Sequence, residues 1–162
     1  KMKRRKAREY VLQFLYACEM NENTRKMCDY NLLQEEIEKF WERNNEEQDH
    51  DIKTFANQLI EGTIENIDVI DKTIQKYTEK WHLERIIPID KNILRFSIYE
   101  ILFRHDIPYQ VTINEAVEIA KKYSTKESAA FINGILDKVA KKELSHSESA
   151  HKYIDKINFE KL

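Results

Sequence analysis

Residues 90–105 read DKNILRFSIYEILFRH, a stretch in which apolar side chains fall at nearly every helical angle. A helix that is apolar on almost every side belongs in the centre of a bundle and not on its surface. We therefore predict a buried central helix that is capped at its start by Asp90 and ends near His105. Pro108 prevents any continuation, because proline has no amide donor and restricts the residue before it.

Helical repeats continue on both sides of this stretch. Apolar side chains three and four residues apart predict helices at about 4–20, 29–43, 113–123 and 125–142, and two helices or one bent helix over 52–77. Residues 112–115 (TINE) and 124–127 (STKE) have the pattern of capping boxes and mark the last two helix starts. With 44–51 as a polar loop and 81–89 as a connection, the sequence predicts an all-α protein of about seven helices.

The composition favours a single domain. Of 162 residues, 41% are hydrophobic and 35% are charged, which is enough for one core but not for two comfortable domains. Only two glycines, Gly62 and Gly134, and two prolines are present, which argues against a sheet-rich fold and excludes glycine-rich phosphate loops. We interpret Gly134 as a point of close backbone approach. The domain is expected to span 1–144, followed by a weakly docked or mobile extension, 145–162.

The sequence contains no recognisable signature of an enzyme, a metal site or a cofactor site. Cys18 and Cys28 are not spaced as a metal-binding pair, and the five histidines are scattered without a carboxylate partner at ligand spacing. No apolar run is long enough to span a membrane, and the N-terminus lacks a secretory signal. We therefore expect a cytoplasmic protein with no catalytic residues, no bound metal and no cofactor.

Charge is divided unevenly along the chain, although the net charge is only -2. The first eight residues hold six cations, whereas residues 35–51 hold eight acidic side chains. An affinity for polyanions must therefore be local, because the acidic stretch repels the phosphates that the N-terminus attracts.

The first predicted helix has a second face beside its apolar one. Arg5, Arg8, Leu12 and Tyr16 follow one another at spacings of three and four residues, which leaves a basic and partly aromatic surface. One interpretation is an RNA-binding face that holds phosphates and stacks a base. The other is a solvated helix end whose Tyr16 packs on a neighbouring helix, and periodicity alone leaves both open. For Phe131, at the edge of an apolar stripe, the pattern favours a buried ring.

Three segments resemble the NusB family, in the family's order from residue 4 to about 142. The first is RRKARE at 4–9, continuing through Gln13, Leu15 and Tyr16. The others are IDKNILR at 89–95 with DIPY at 106–109, and INEA at 113–116 continuing through Asn133-Gly134 to LDK at 136–138.

This resemblance implies two packed three-helix bundles and a role in transcription antitermination. Members of the family bind the boxA element of ribosomal RNA leader transcripts, as a single strand, together with the ribosomal protein NusE, and the complex joins RNA polymerase. Asp90 matches the family's acidic position that faces NusE. The positions that match the family's RNA contacts are Arg4, Arg5, Lys6, Arg8, Tyr16, Glu127, Ser128 and Phe131.

The sequence departs from the family pattern at Ser124, Glu127 and Ala130, where glycine, aspartate and a basic residue are usual. The last change removes one cation from the second patch of RNA contacts. Two alternatives to an RNA-binding adaptor stay open. One is a helical protein-interaction module, whose surplus face could also be hidden in a homodimer. The other is a detached relative of the RNA-binding domain of ribosomal RNA cytosine methyltransferases, against which the absence of a catalytic domain argues.

Overall fold

Seven α-helices make up the described part of the chain, residues 2–78 and 82–160 of a computed structural model, with side chains described up to Ser145. The helices are α1 (Met2–Met20), α2 (Tyr30–Arg43), α3 (His50–Glu65), α4 (Ile67–Tyr77), α5 (Pro88–Phe103), α6 (Tyr109–Tyr123) and α7 (Lys126–Glu160). These residues include no strand, so the predicted all-α fold is confirmed. None of the described helices has the length and apolar character needed to cross a membrane.

Helix α5 lies at the centre of the fold, as predicted. It packs against α1, α3, α4, α6 and α7. Its side chains are buried on almost every side, and Ile93, Leu94 and Phe96 are completely buried. Full burial of one such side chain contributes about 1.5–3 kcal/mol. Through α5, one three-helix group, α1 to α3, meets a second group formed by α5, α6 and α7.

The start of α5 differs from the prediction, because Asp90 does not cap it. Ile87 occupies the N-cap position and Pro88 the first helical position. Proline is favoured there because the amide it lacks would have no partner within the helix. Asp90 therefore lies inside the first turn, where its carboxylate can bind other parts of the chain. At the other end, α5 stops at Phe103, two residues before the predicted His105.

Helix α6 begins earlier than its predicted capping box. It starts at Tyr109, directly after Pro108, so Thr112 lies within the helix and not at its start. The Thr112 hydroxyl donates a hydrogen bond to Glu100 at 3.0 Å, and Glu115 forms an ion pair with Arg5. The two side chains expected to form the capping box, Thr112 and Glu115, are thus used for tertiary contacts.

Helix α7 is capped one residue later than predicted and runs further. The Thr125 hydroxyl, not that of Ser124, accepts a hydrogen bond from the backbone N–H of Ser128 at 3.0 Å. The helix continues to Glu160 instead of ending near residue 142. Side chains beyond Ser145 lie outside the described set, so a weakly docked or mobile extension stays a prediction.

The remaining helix predictions agree with the structure in most respects. The stretch 52–77 forms two helices that meet at Asn66, and the predicted loop ends at Asp49, which caps α3. Helix α2 lies where it was predicted. Of the predicted connection, Trp81 lies outside the described residues, and Leu83–Arg85 form a single 3-10 turn.

A close backbone approach occurs at Gly62 and not at Gly134, which corrects the interpretation from sequence. A Cβ atom added to Gly62 would overlap the ring of Tyr99, so this glycine lets α5 pass close to α3. A Cβ added to Gly134 would meet nothing within 4 Å. The helical repeat across Asn133-Gly134 is nevertheless confirmed, because both residues lie inside α7.

Candidate RNA interface

Helix α1 presents an accessible stripe, whereas other sides of it pack against α3 and α5. The stripe, which we call the α1 surface, consists of Arg5, Glu9, Gln13, Tyr16 and Met20, all exposed or half-buried. Tyr16 is 38% exposed and Met20 is 48% exposed. A solvent-facing aromatic ring beside a guanidinium group is a combination that single-stranded nucleic acids bind, through stacking and phosphate contact.

The second face predicted for the first helix is partly buried. Arg8 is 1% exposed and Leu12 is 5% exposed. The Arg8 guanidinium donates Nε and Nη2 to the two carboxylate oxygens of Glu100, each at 2.8 Å. The prediction that Arg8 lies on an exposed RNA-binding face is therefore wrong, because its charged group is fully engaged inside the protein.

Arg4 is exposed but lies on a different side of α1 from Arg5. Its guanidinium carbon lies 4.6 Å from the centre of the Phe55 ring, on α3. Arg104 approaches the same ring at 5.5 Å. Cation–π contacts of this kind favour a guanidinium that rests on the ring. The two exposed N-terminal arginines thus lie on different surfaces, and only Arg5 belongs to the α1 surface.

Arg5 and Lys6 are accessible, although each already binds a carboxylate. Arg5 donates Nε and Nη2 to Glu115 at 2.6 and 3.1 Å. The Lys6 Nζ atom lies 2.8 Å from Glu47 Oε1. The two basic side chains are still 44% and 55% exposed. A phosphate can therefore reach both cations, although their carboxylate partners Glu115 and Glu47 are only 5% and 6% exposed.

The residues predicted on the last helix border a shallow depression beside the start of α5. The depression has a volume of ≈ 330 Å³ and is lined on one side by Glu127, Ser128 and Phe131. Glu127 is exposed, whereas the Phe131 ring is half-buried against the core and therefore less buried than its pattern indicated. Exposed side chains of Arg85 and Ile87, which sequence analysis missed, form the opposite rim.

The Asp90 carboxylate binds two serines and does not face solvent. It is 5% exposed, and its two oxygens accept hydrogen bonds from Ser124 at 2.8 Å and Ser128 at 2.6 Å. These bonds tie the first turn of α5 to the first turn of α7. Asp90 also lines the depression, and its expected contact with a protein partner stays a prediction.

The α6–α7 corner, residues 121–126, joins the two groups of predicted residues. Lys122 Nζ lies 3.0 Å from Glu9 of the α1 surface. It also lies 5.2 Å from the ring centre of Tyr123, which is 38% exposed. On the other side of the corner, Ser124 is held by Asp90. Sequence analysis missed Lys122 and Tyr123, although two lysines and a tyrosine just before a helix break were a usable signal.

Comparison with known proteins gives the family. The NusB family matches residues 5–141, which include the α1 surface, the α6–α7 corner and the residues of α7 that line the depression. This chain belongs to the NusB family. The transcription antitermination protein NusB of Thermodesulfovibrio yellowstonii is 82% identical over 151 residues, which cover 93% of this chain and 100% of that protein.

Solved NusB structures have the same fold. NusB from T. maritima is 40% identical, with a TM-score of 0.73 over 86% of this chain and 91% of that chain. A complex of the antitermination factors NusB and NusE with double-stranded RNA contains a chain that matches 87% of this one, with a TM-score of 0.74. That chain is 98% covered and 22% identical, so the likeness concerns the fold alone. The predicted NusB-like helical architecture is confirmed.

The NusB match does not cover every basic or acidic feature described above. Arg4 and the residues after 141 lie outside the matched range. The acidic residues 46–51 lie inside it. Any function proposed for the basic end of α1 must therefore take account of these acidic neighbours.

Proposed function

We propose that this member of the NusB family is an RNA-binding transcription antitermination factor, which binds boxA-type RNA of ribosomal RNA leader transcripts together with NusE. The observation that carries the proposal is the continuity of the α1 surface, the α6–α7 corner and the α7 depression. One extended strand can cross all three. The names of its relatives support the class of function, and the NusB–NusE–RNA complex supports the class of partner.

Phosphate contacts come from cations whose side chains are accessible to solvent. Arg5, Lys6 and Lys122 meet this condition, since their side chains are 44%, 55% and 60% exposed. Each cation that contacts a single-stranded phosphate changes the slope of log affinity against log salt by about 0.7. Arg8 is left out of this set because it is buried, and Arg4 contributes only if it leaves the ring of Phe55.

Base contacts come from two aromatic positions and one carboxylate. Tyr16 offers a ring face on the α1 surface, and Phe131 offers part of its ring in the depression on α7. The Glu127 carboxylate beside it can accept hydrogen bonds from the exocyclic amino group of a base. Ser128 and Asp90 act indirectly, because their mutual hydrogen bond holds the first turn of α7 in place.

NusE strengthens RNA binding in this proposal, because the positive surface of the chain alone is short. Most of the surrounding charge is acidic, and the net charge of the chain is -2. A basic ribosomal partner docked beside the RNA would extend the positive surface and reduce the repulsion. By linkage, RNA then tightens the binding of NusE by the same factor, typically equivalent to about 1–3 kcal/mol. The assembled complex would act on RNA polymerase in the cytoplasm.

Calorimetric titration of boxA-type RNA, with and without saturating NusE, tests the proposal. We expect tighter binding in the presence of NusE, and weaker binding of an RNA of the same composition in scrambled order. Equal affinities with and without NusE would contradict the cooperative mechanism. No RNA binding under either condition would favour the alternative of a protein-interaction module. If Tyr16 and Met20 were instead buried in a homodimer, sedimentation without RNA would show a dimer.

A further inference from the structure

The loop between α2 and α3 lies against the first turns of α1. We call residues 46–51, which read EEQDHD and extend from this loop into the first turn of α3, the acidic loop. Lys3 Nζ lies 3.0 Å from Asp49 and 3.5 Å from Asp51, and Lys6 Nζ lies 2.8 Å from Glu47. Two lysines of the basic N-terminus are therefore neutralised by three carboxylates of the same chain.

Other hydrogen bonds hold the acidic loop in this position. The buried Glu47 carboxylate accepts hydrogen bonds from the Tyr10 hydroxyl and from the backbone N–H of Asp49, both at 3.2 Å. Asp49 in turn accepts two backbone hydrogen bonds at the start of α3. Hydrogen bonds with Lys6 and Lys3 lower the pKa of Glu47 and of Asp49, and raise the pKa of both lysines. All four groups are therefore charged at neutral pH.

The same lysines border a groove in which they could meet a phosphate. The groove has a volume of ≈ 560 Å³ and lies between the start of α1, Ile52 of α3 and Glu115 of α6. Its basic lining consists of Lys3, Arg5 and Lys6. Each of these cations has a carboxylate partner from another part of the chain. The groove thus brings together three positive charges, each of which is already neutralised by a carboxylate of the same chain.

We propose that the acidic loop competes with RNA, because Glu47, Asp49 and Asp51 occupy Lys3 and Lys6 until RNA phosphates displace them. This inference rests on the proposed RNA-binding function and adds Lys3 to the interface. Carboxylate and phosphate oxygens bind an ammonium group through the same charge-assisted hydrogen bonds, so they compete for each lysine. The lysine side chains are 59% and 55% exposed, so the exchange of partners needs no unfolding.

Competition by the loop lowers the affinity for every RNA by a similar factor. The ratio between specific and unspecific affinities is unchanged. Unspecific complexes, however, then form only at higher RNA concentrations. An RNA that also stacks on Tyr16 and enters the α7 depression keeps enough affinity to displace the loop. The acidic loop therefore sets a threshold that phosphate contacts alone do not reach.

Neutralising the loop without changing its shape tests the proposal. In the triple variant Glu47→Gln, Asp49→Asn and Asp51→Asn, the amide side chains retain hydrogen-bonding capacity, and asparagine remains a good helix cap. A control neutralises three exposed carboxylates of α2, for which no described ion pair is found: Glu35→Gln, Glu38→Gln and Glu42→Gln. Both variants have the same net charge, so only the position of the lost charges differs.

We expect the loop variant to bind boxA-type RNA at least about 2-fold more tightly than the wild type at low salt, because freeing Lys3 from its exposed ion pairs alone corresponds to roughly 1.4- to 5-fold, and Lys6 is freed as well. The gain should shrink as salt rises, since the Debye length falls from about 10 Å at 0.1 M to about 3 Å at 1 M. An equal gain in the α2 control would mean that net charge, and not the loop, is responsible. No gain in the loop variant would overturn the proposal directly.

A double-mutant cycle tests whether the loop acts through the two lysines. Lys3→Ala with Lys6→Ala should weaken RNA binding more in the loop variant than in the wild type, where the lysines are already occupied. The same loss in both backgrounds would overturn the competition. Asp51→Asn alone provides a variant with the fold least disturbed, because that side chain is 78% exposed. If the wild type binds no RNA even with NusE, the proposed function fails; if it binds and the loop variant is no tighter, only this inference fails.

Discussion

Arg8 of α1 and Glu100 of α5 form an ion pair with two hydrogen bonds in the interior, and both donor–acceptor distances are 2.8 Å. The Thr112 hydroxyl of α6 donates a third hydrogen bond to the same carboxylate at 3.0 Å. Glu100 is fully buried and Arg8 nearly so. Three helices that support the candidate RNA interface therefore meet at one charged group.

Replacing Arg8 by alanine should reduce stability and leave RNA affinity per folded molecule nearly unchanged. The change leaves the Glu100 carboxylate buried beside a cavity without its cation, which costs about 3–5 kcal/mol. Urea unfolding measures the loss of stability, and RNA titration at a temperature where the variant is folded measures the affinity. Arg25→Ala, at an ion pair with Asp68 in which both side chains are exposed, is the control and should reduce stability far less. If Arg8→Ala were as stable as the wild type but bound RNA more weakly, Arg8 would belong to the RNA interface after all.

Tyr16→Ala should weaken RNA binding by about 1–3 kcal/mol with little change in stability. The reason is that the ring is 38% exposed on the α1 surface, where it can stack on a base. Tyr30→Ala is a matched control, because Tyr30 is 62% exposed at the start of α2, away from the proposed path. If Tyr16→Ala lowers the melting temperature sharply while affinity is retained, Tyr16 is a packing residue.

The sequence allowed us to predict the positions of the helices better than the burial and the partners of charged side chains. Periodicity located α5 in the core because apolar burial repeats every few residues. It placed Arg8 on the surface, since its partner Glu100 lies 92 positions away and has no local signature. Asp90 looked like a helix cap, but proline at the first helical position moved the helix start and left the carboxylate for Ser124 and Ser128.

Lys122→Ala should reduce the salt dependence of RNA binding, if the α6–α7 corner contacts a phosphate. The expected change in slope is about 0.7 for one lost contact on a single strand. Lys141→Ala is the matched control, because Lys141 is also exposed and also pairs with a carboxylate, that of Asp137. Titrations over a range of salt concentrations give both slopes. Identical slopes for the two variants would exclude a phosphate contact at the corner.

The two cysteines should react at very different rates with a thiol reagent. Cys28 is exposed, whereas Cys18 is buried, and this burial raises the pKa of Cys18 to about 11. The thiolate is the reactive form, so at pH 8 only about one in a thousand Cys18 side chains is ionised. We expect one thiol per chain to react promptly and the second only after unfolding. Cys28→Ser should remove the fast phase; a fast phase that persists would show that Cys18 is accessible.

Alanine substitutions at the two glycines should change stability in opposite directions. In a helix interior, alanine is favoured over glycine by about 0.5–1 kcal/mol. At Gly134 the new methyl group meets nothing, so Gly134→Ala should stabilise the protein by about that amount. At Gly62 it would overlap the ring of Tyr99, which stacks on Phe103 with 5.6 Å between ring centres.

Moving that ring costs about 1–3 kcal/mol, as overpacked cores do, so Gly62→Ala should be destabilising overall. Urea unfolding of the two variants under the same conditions shows whether each substitution raises or lowers the free energy of unfolding. Tyr99→Leu lacks the ring atoms that the new methyl group would meet, so Gly62→Ala should be less costly in that background than in the wild type. An equal cost in both backgrounds would mean that the close approach of α3 and α5 does not depend on this pair.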